Sequence, residues 1–122
     1  MKTTYGKITE AIEALGKLAK LDLRIAEAVK VSKLIAAVDS EMKTFNDVRL
    51  KLCEKYGKHN EGGSYEIPDE SKKEFAEEIS ELLETEVELP GEEIKVQSQI
   101  TIDAGSVLAL AGLIDFEGDN NG

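Results

Sequence analysis

Apolar residues recur at helical spacing through the first half of the chain. From Ile8 to Leu21 they return every three or four positions, which predicts an amphipathic helix over residues 7–20. Between Arg24 and Tyr56 there is no Pro or Gly, and a second series steps alternately by four and three, as in a heptad repeat. Its members are Val31, Ile35, Val38, Met42, Phe45, Arg49, Leu52 and Tyr56. The pattern predicts a helical hairpin.

The second predicted helix is long for a chain of this size. A helix over residues 24–56 extends roughly 50 Å, more than the first helix can cover. The rest of its apolar stripe must pack against the C-terminal half of the chain or against a second copy. Both alternatives stay open at this point, and we expect a homo-oligomer.

Shorter elements follow Gly57. The polar, Gly-rich residues 58–63 predict a hinge loop, and residues 64–67 a short strand. A third helix is expected over residues 70–83, with an apolar stripe that includes Phe75 and Ile79 and an acidic outer face.

Alternating residues come next. Residues 87–89 and 94–96 flank Pro90-Gly91, which predicts an antiparallel hairpin, and residues 100–102 could add a strand. Asp103 would cap a short helix that extends to Ile114.

These elements predict a single α+β domain, predominantly helical. Its parts would be a helical hairpin over residues 1–57, a hinge loop over 58–63, an acidic lobe over 64–117 and a frayed tail over 118–122. The acidic lobe would hold one helix, a short antiparallel sheet and a terminal helix. The 122 residues, 41% of them hydrophobic, are enough for one modest core.

Charge divides the chain into two halves. Residues 1–60 hold twelve Lys and Arg against eight acids, a net +4, whereas residues 61–122 hold three against seventeen, a net −14. Two halves with opposite electrostatic potential favour a protein that acts by binding. The overall charge of −10 opposes direct binding to duplex nucleic acid. The longest apolar run, Val107 to Ile114, is too short to cross a membrane.

Residues with catalytic chemistry are few. His59 is the sole imidazole and lies in the predicted loop, where a surface role is favoured over a triad with Ser64 or Cys53. Cys53 is expected to flank the core as a small apolar side chain, the alternative being a reactive thiolate. One His and one Cys are too few for a zinc site built from soft ligands, and the sequence contains no phosphate-binding glycine motif. We expect no cofactor and no enzymatic activity.

Two groups of residues are candidates for binding. Around the hinge, a small anionic ligand would meet Arg49, Lys55, Tyr56, His59 and Tyr65. Arg49 occupies a heptad core position, so its guanidinium needs a carboxylate or a ligand, and we favour an ion pair with the acidic half. On the third helix, a protein partner would meet Glu74, Glu77, Glu78 and Glu81. These acids could instead hold a hard cation or form a solvated face, and the solvated face is favoured over the cation.

The chain resembles small proteins encoded in phage and prophage genomes of Gram-positive bacteria. The matching stretches are 21–24, Lys33-Leu34, 41–45 with Arg49, 55–57, 65–68, Phe75, 82–89, 108–110 and Phe116-Glu117. Those proteins often end with an acid-then-Pro step where this chain has Ala111-Gly112-Leu113, so the last helix would pack differently. The resemblance implies a phage accessory protein.

Three functions fit these features. The leading hypothesis is a non-enzymatic protein that counters host defence in the host cytoplasm by binding a defence protein or its nucleotide signal. The second is a virion component or a head or tail assembly protein that pairs through its long helix. The third is an acidic mimic of nucleic acid.

Overall fold

The computed structural model describes residues 1–116 and has an α+β fold in which helices predominate, as predicted. The predicted tail, and Glu117 at the end of the predicted lobe, lie outside the described residues. The helices are α1 (Tyr5–Ala19), α2 (Ile25–Tyr56), α3 (Asp69–Glu84) and α4 (Ala104–Leu110). The strands are β1 (Lys2–Thr4), β2 (Lys58–His59), β3 (Tyr65–Glu66), β4 (Glu86–Glu88), β5 (Ile94–Val96) and β6 (Ile114–Phe116).

Helix α1 carries the centre of the core. The side chain of Thr4 accepts a hydrogen bond from the Lys7 amide and caps the helix, which then buries residues at three- and four-residue spacing. Ile8, Ala11 and Leu18 are fully buried. They share one hydrophobic cluster with residues of α2, of α4 and of strands β4 to β6, so α1 is the element on which the others pack.

The heptad stripe of α2 is buried along part of its length. Val31, Val38 and Phe45 are buried at seven-residue steps, and α1 packs against this half of the helix. Asn46–Lys51 are then all exposed, before Cys53 is buried. The helix is therefore continuous, but its packing is interrupted at residues 46–51.

The predicted hairpin between residues 87–89 and 94–96 is wrong in its pairing. Both segments are strands, but β4 pairs with β1 in antiparallel register, Lys2 opposite Glu88. β5 pairs with β6 in parallel, Ile94 opposite Ile114. Each strand thus finds a partner distant in sequence, which local alternation could not reveal.

The C-terminal segment also differs from its prediction. Residues 100–102 form no strand, and α4 ends at Leu110, so that Ile114 lies in β6. Gly112, with a φ of 87°, reverses the chain between them. Asp103 caps α4 as predicted, accepting a hydrogen bond from the Ser106 amide.

The predicted hinge loop is a small hairpin. Lys58 pairs with Glu66 and His59 with Tyr65, and Asn60 accepts hydrogen bonds from the amides of Gly62 and Ser64. Strand β3 confirms the strand predicted after the loop.

Gly57→Ala should destabilise the protein where this hairpin leaves α2. A Cβ at Gly57 would lie 2.7 Å from the Cys53 carbonyl oxygen and 2.9 Å from Cδ1 of Ile67, so the backbone must shift. We expect the free energy of unfolding, measured by urea titration, to fall by about 1–3 kcal/mol. Gly16→Ala is the control: nothing lies within 4 Å of its added Cβ, and the exposed helix should gain about 0.5–1 kcal/mol. Equal effects at both positions would contradict this account.

Candidate functional site

Lys55 and Tyr56, predicted to bind an anion, are engaged with α3. The Lys55 ammonium lies 3.3 Å from a carboxylate oxygen of Glu78 and 5.0 Å from the centre of the Tyr56 ring. The Tyr56 ring meets Phe75 edge to face at 6.3 Å. These contacts fasten the C-terminal end of α2 to α3, and they place a carboxylate beside the lysine.

His59 and Tyr65 form a second pair, on the β2–β3 hairpin. Their rings lie 4.4 Å apart, and the Tyr65 hydroxyl donates to Glu54 on α2 at 3.3 Å. Desolvation, and after it the Glu54 carboxylate, raise the pKa of the Tyr65 phenol. This pair is also bordered by an acid, which disfavours an anionic ligand.

Arg49 stands apart from both pairs. It lies four residues after the buried Phe45 and four before the buried Cys53, so it is on the inward side of α2. Its side chain is nevertheless exposed, and among residues 1–116 it makes no ion pair. The expected ion pair with the acidic half is therefore wrong within that range: no packed element covers the stripe here, so water solvates the guanidinium.

The acids predicted for a protein interface separate into two sets. Glu78 faces α2, where it pairs with Lys55, and its second carboxylate oxygen is buried without a hydrogen bond. The others belong to a stripe of exposed glutamates spaced alternately by four and three residues. We call it the glutamate stripe: Glu70, Glu74, Glu77, Glu81 and Glu84. None of them forms an ion pair within residues 1–116.

Sequence reasoning missed a buried carboxylate, Glu27. It is 7% exposed, in the first turn of α2, and accepts hydrogen bonds from the Gln97 amide at 2.8 Å and from the Ser98 hydroxyl. Ser98 Oγ in turn accepts from the Arg24 amide at 2.9 Å. An isolated Glu among apolar neighbours gave no signal, because its partners lie some 70 residues away in sequence.

These contacts favour the ionised form of the Glu27 side chain. Burial raises its pKa, but hydrogen bonds from the Ser98 hydroxyl and from the Gln97 and Ser98 amides, with the nearby Arg24, together hold the pKa below its ordinary 4.5. The carboxylate is thus a satisfied structural anion that joins the start of α2 to residues 97–98.

Sequence reasoning also missed a cavity of about 560 Å³. It lies between α2, at Lys30, Lys33 and Leu34, and the turn from Pro90 to Ile94. The turn is placed by the unforeseen partners of β4 and β5, so no local pattern could have indicated it.

Neither a metal centre nor a membrane-spanning helix was found in the described part of the chain. Residues 1–116 contain no group of three or more His, Cys, Asp and Glu side chains arranged to hold a metal ion. No helix in that range combines the length and the apolar sequence that a bilayer crossing requires.

Glu27→Gln should lower stability and weaken its dependence on pH. The native pKa is below the unfolded one, so the stabilisation is complete above about pH 4.5 and is lost as the pH falls through the native pKa. At pH 7 the amide should cost about 2 kcal/mol of unfolding free energy. Urea titrations between neutral and acidic pH measure both effects.

The exposed Glu10→Gln is the control, because the Glu10 side chain forms no ion pair within residues 1–116. It should leave the stability at neutral pH unchanged. If Glu27→Gln and wild type lost stability in parallel on acidification, the role of the ionised carboxylate would be refuted.

Comparisons with known proteins leave this site to be interpreted from its own geometry. No protein-family model, curated protein or solved structure matches the chain. The residues that the structure brings together are thus the basis for a functional proposal.

Proposed function

We propose that this chain is a non-enzymatic accessory protein of a phage or prophage that acts in the host cytoplasm by stoichiometric binding to a host defence protein. The observation that carries the proposal is the glutamate stripe of α3, five exposed glutamates that form no ion pair within residues 1–116.

The glutamate stripe suits a basic protein surface. Like charges three and four residues apart repel one another by about 0.2–0.5 kcal/mol per pair, a cost that a cationic partner removes. The Tyr56–Phe75 and Lys55–Glu78 contacts hold the opposite side of α3 against α2, so the stripe is on the side exposed to solvent. Complementary charge also speeds association and makes it depend on salt.

A protein partner is favoured over the nucleotide signal as the target. Lys55 and Tyr65, the residues expected to meet a nucleotide, already contact Glu78 and Glu54. A phosphate placed there would meet two carboxylates, and binding would be opposed by their charge.

Replacing Glu74, Glu77 and Glu81 by Gln tests the proposal. The wild-type chain, expressed in bacteria that each carry one defence system, should raise the plating efficiency of a restricted phage in at least one strain. The triple variant should lose that effect, because the stripe loses three charges. With the purified defence protein, inhibition should saturate at equimolar chain and weaken as salt rises.

The matched control carries Glu10→Gln, Glu13→Gln and Glu61→Gln, three exposed acids off the stripe. It has the same net charge as the test variant and should retain activity. Thermal unfolding checks that both variants are folded. Failure to inhibit any system, inhibition by far less than equimolar chain, or equal loss in both variants would each contradict the proposal.

Virion assembly through the long helix is a second candidate. It is favoured by the exposed segment Asn46–Lys51, in which Val48 and Leu50 are 36% and 43% exposed. Val48 and Leu50 are two residues apart and face different sides of α2, so a second copy or a partner helix would cover one of them at a time.

Val48→Ser with Leu50→Ser tests pairing of copies through this segment. If it mediates self-association, sedimentation velocity should show an oligomer for wild type and a dissociation constant raised by about tenfold or more in the variant, because aliphatic burial is lost. The control pair is Ile12→Ser with Val29→Ser, 38% and 48% exposed in the wild type and outside the segment. A monomeric wild type, or equal weakening by both pairs, would refute pairing at residues 46–51.

A further inference from the structure

The cavity between α2 and the β4–β5 turn has an apolar floor. Leu34 and Ile94, which line it, are only 3% and 6% exposed, and the cavity volume of about 560 Å³ is typical of small-molecule sites. At one end Met1 is held by hydrogen bonds from its amino group to the carbonyl oxygens of Leu89 and Gly91, at 2.7 and 2.9 Å. The cavity is thus bounded by a helix and by a turn that is tied in place.

Charged side chains of both signs line the cavity, Lys95 of strand β5 among them. Lys30 and Lys33 project from α2, and Glu92 and Glu93 stand on the opposing turn. Within residues 1–116 none of these four side chains takes part in an ion pair. Cations and anions therefore face one space without neutralising each other, which leaves both signs available to a ligand.

We propose that this cavity binds a small zwitterion with an aliphatic body, of the size of a dipeptide. The ligand carboxylate would meet Lys30 and Lys33, its ammonium group would meet Glu92 and Glu93, and its side chains would cover Leu34 and Ile94. The termini of an extended dipeptide lie up to about 7 Å apart, so its two charges can meet different residues of the lining. A ligand with one charge satisfies one wall and leaves the other unpaired. This inference is independent of the proposed function.

Four peptides measure how much each terminal charge of the ligand contributes to binding. Leucyl-leucine has both, its N-acetyl form lacks the ammonium group, its amide lacks the carboxylate, and the doubly blocked peptide has neither. In calorimetric or NMR titrations the zwitterion should bind tightest, and each lost charge should weaken binding by about two- to fivefold.

Two double variants assign each charge to its wall. Lys30→Gln with Lys33→Gln should abolish the preference for leucyl-leucine over its amide, and Glu92→Gln with Glu93→Gln the preference over the N-acetyl form. Lys43→Gln with Lys51→Gln, on the same helix outside the cavity, should change neither preference. Equal affinity for the four peptides, no binding of any at millimolar concentration, or preferences that survive both cavity variants in folded protein would overturn the proposal.

Discussion

The difference in length between α1 and α2 is the constraint on which the rest of the structure depends. α1 has 15 residues and α2 has 32, so at 1.5 Å per residue they extend about 22 and 48 Å. The buried face of α1, through Ile8 and Leu18, can therefore cover only about half of α2. The other half must pack against other elements or remain exposed to water. α3 packs against its C-terminal end, and residues 46–51 remain exposed.

The element recruited to the far end of α2 is unusually polar. All residues of α3 keep some solvent exposure. It meets the end of α2 through an aromatic edge contact and an ion pair, and its Leu82 and Leu83 pack, partly buried, against the core. Fewer buried apolar contacts mean that this end opens at a lower free energy than the core around α1. The surface proposed to bind a partner is thus on the less stable part of the fold, where adjustment to a partner costs least.

Periodicity predicted α1, α2 and α3 because each of them repeats its apolar spacing over several turns. It could not predict the strand pairs, since β1, β4, β5 and β6 have three residues each and their partners are set by packing. Arg49 shows the same limit. Its spacing from Phe45 and Cys53 follows from the sequence, but the core position expected for it is exposed. Whether that position is covered depends on where α1 begins, and the first residue of α1, Tyr5, contacts Phe45.

The residue types of the candidate site could be predicted from the sequence, but their arrangement in space could not. The acidic face of α3 follows from spacing alone, whereas the inward turn of Glu78 requires knowing that α3 packs against Lys55. Glu27 and the cavity depend on contacts between distant segments, residues 97–98 and the Pro90–Ile94 turn. Such features carry no local signature, so one sequence without its fold cannot supply them.

The division of charge along the chain is only partly a division in space. β1 lies beside β4 with Lys2 opposite Glu88, and Lys17 pairs with Asp103, so the basic and acidic halves interleave at these two places. The five glutamates of the stripe on α3 remain without an ion pair within residues 1–116. Substitutions on such an exposed face change stability by about 0.5 kcal/mol or less, whereas truncations in the core cost about 2–5 kcal/mol. Residues of the stripe can therefore be substituted while the core stays folded, and this separation would suit the proposed binding role.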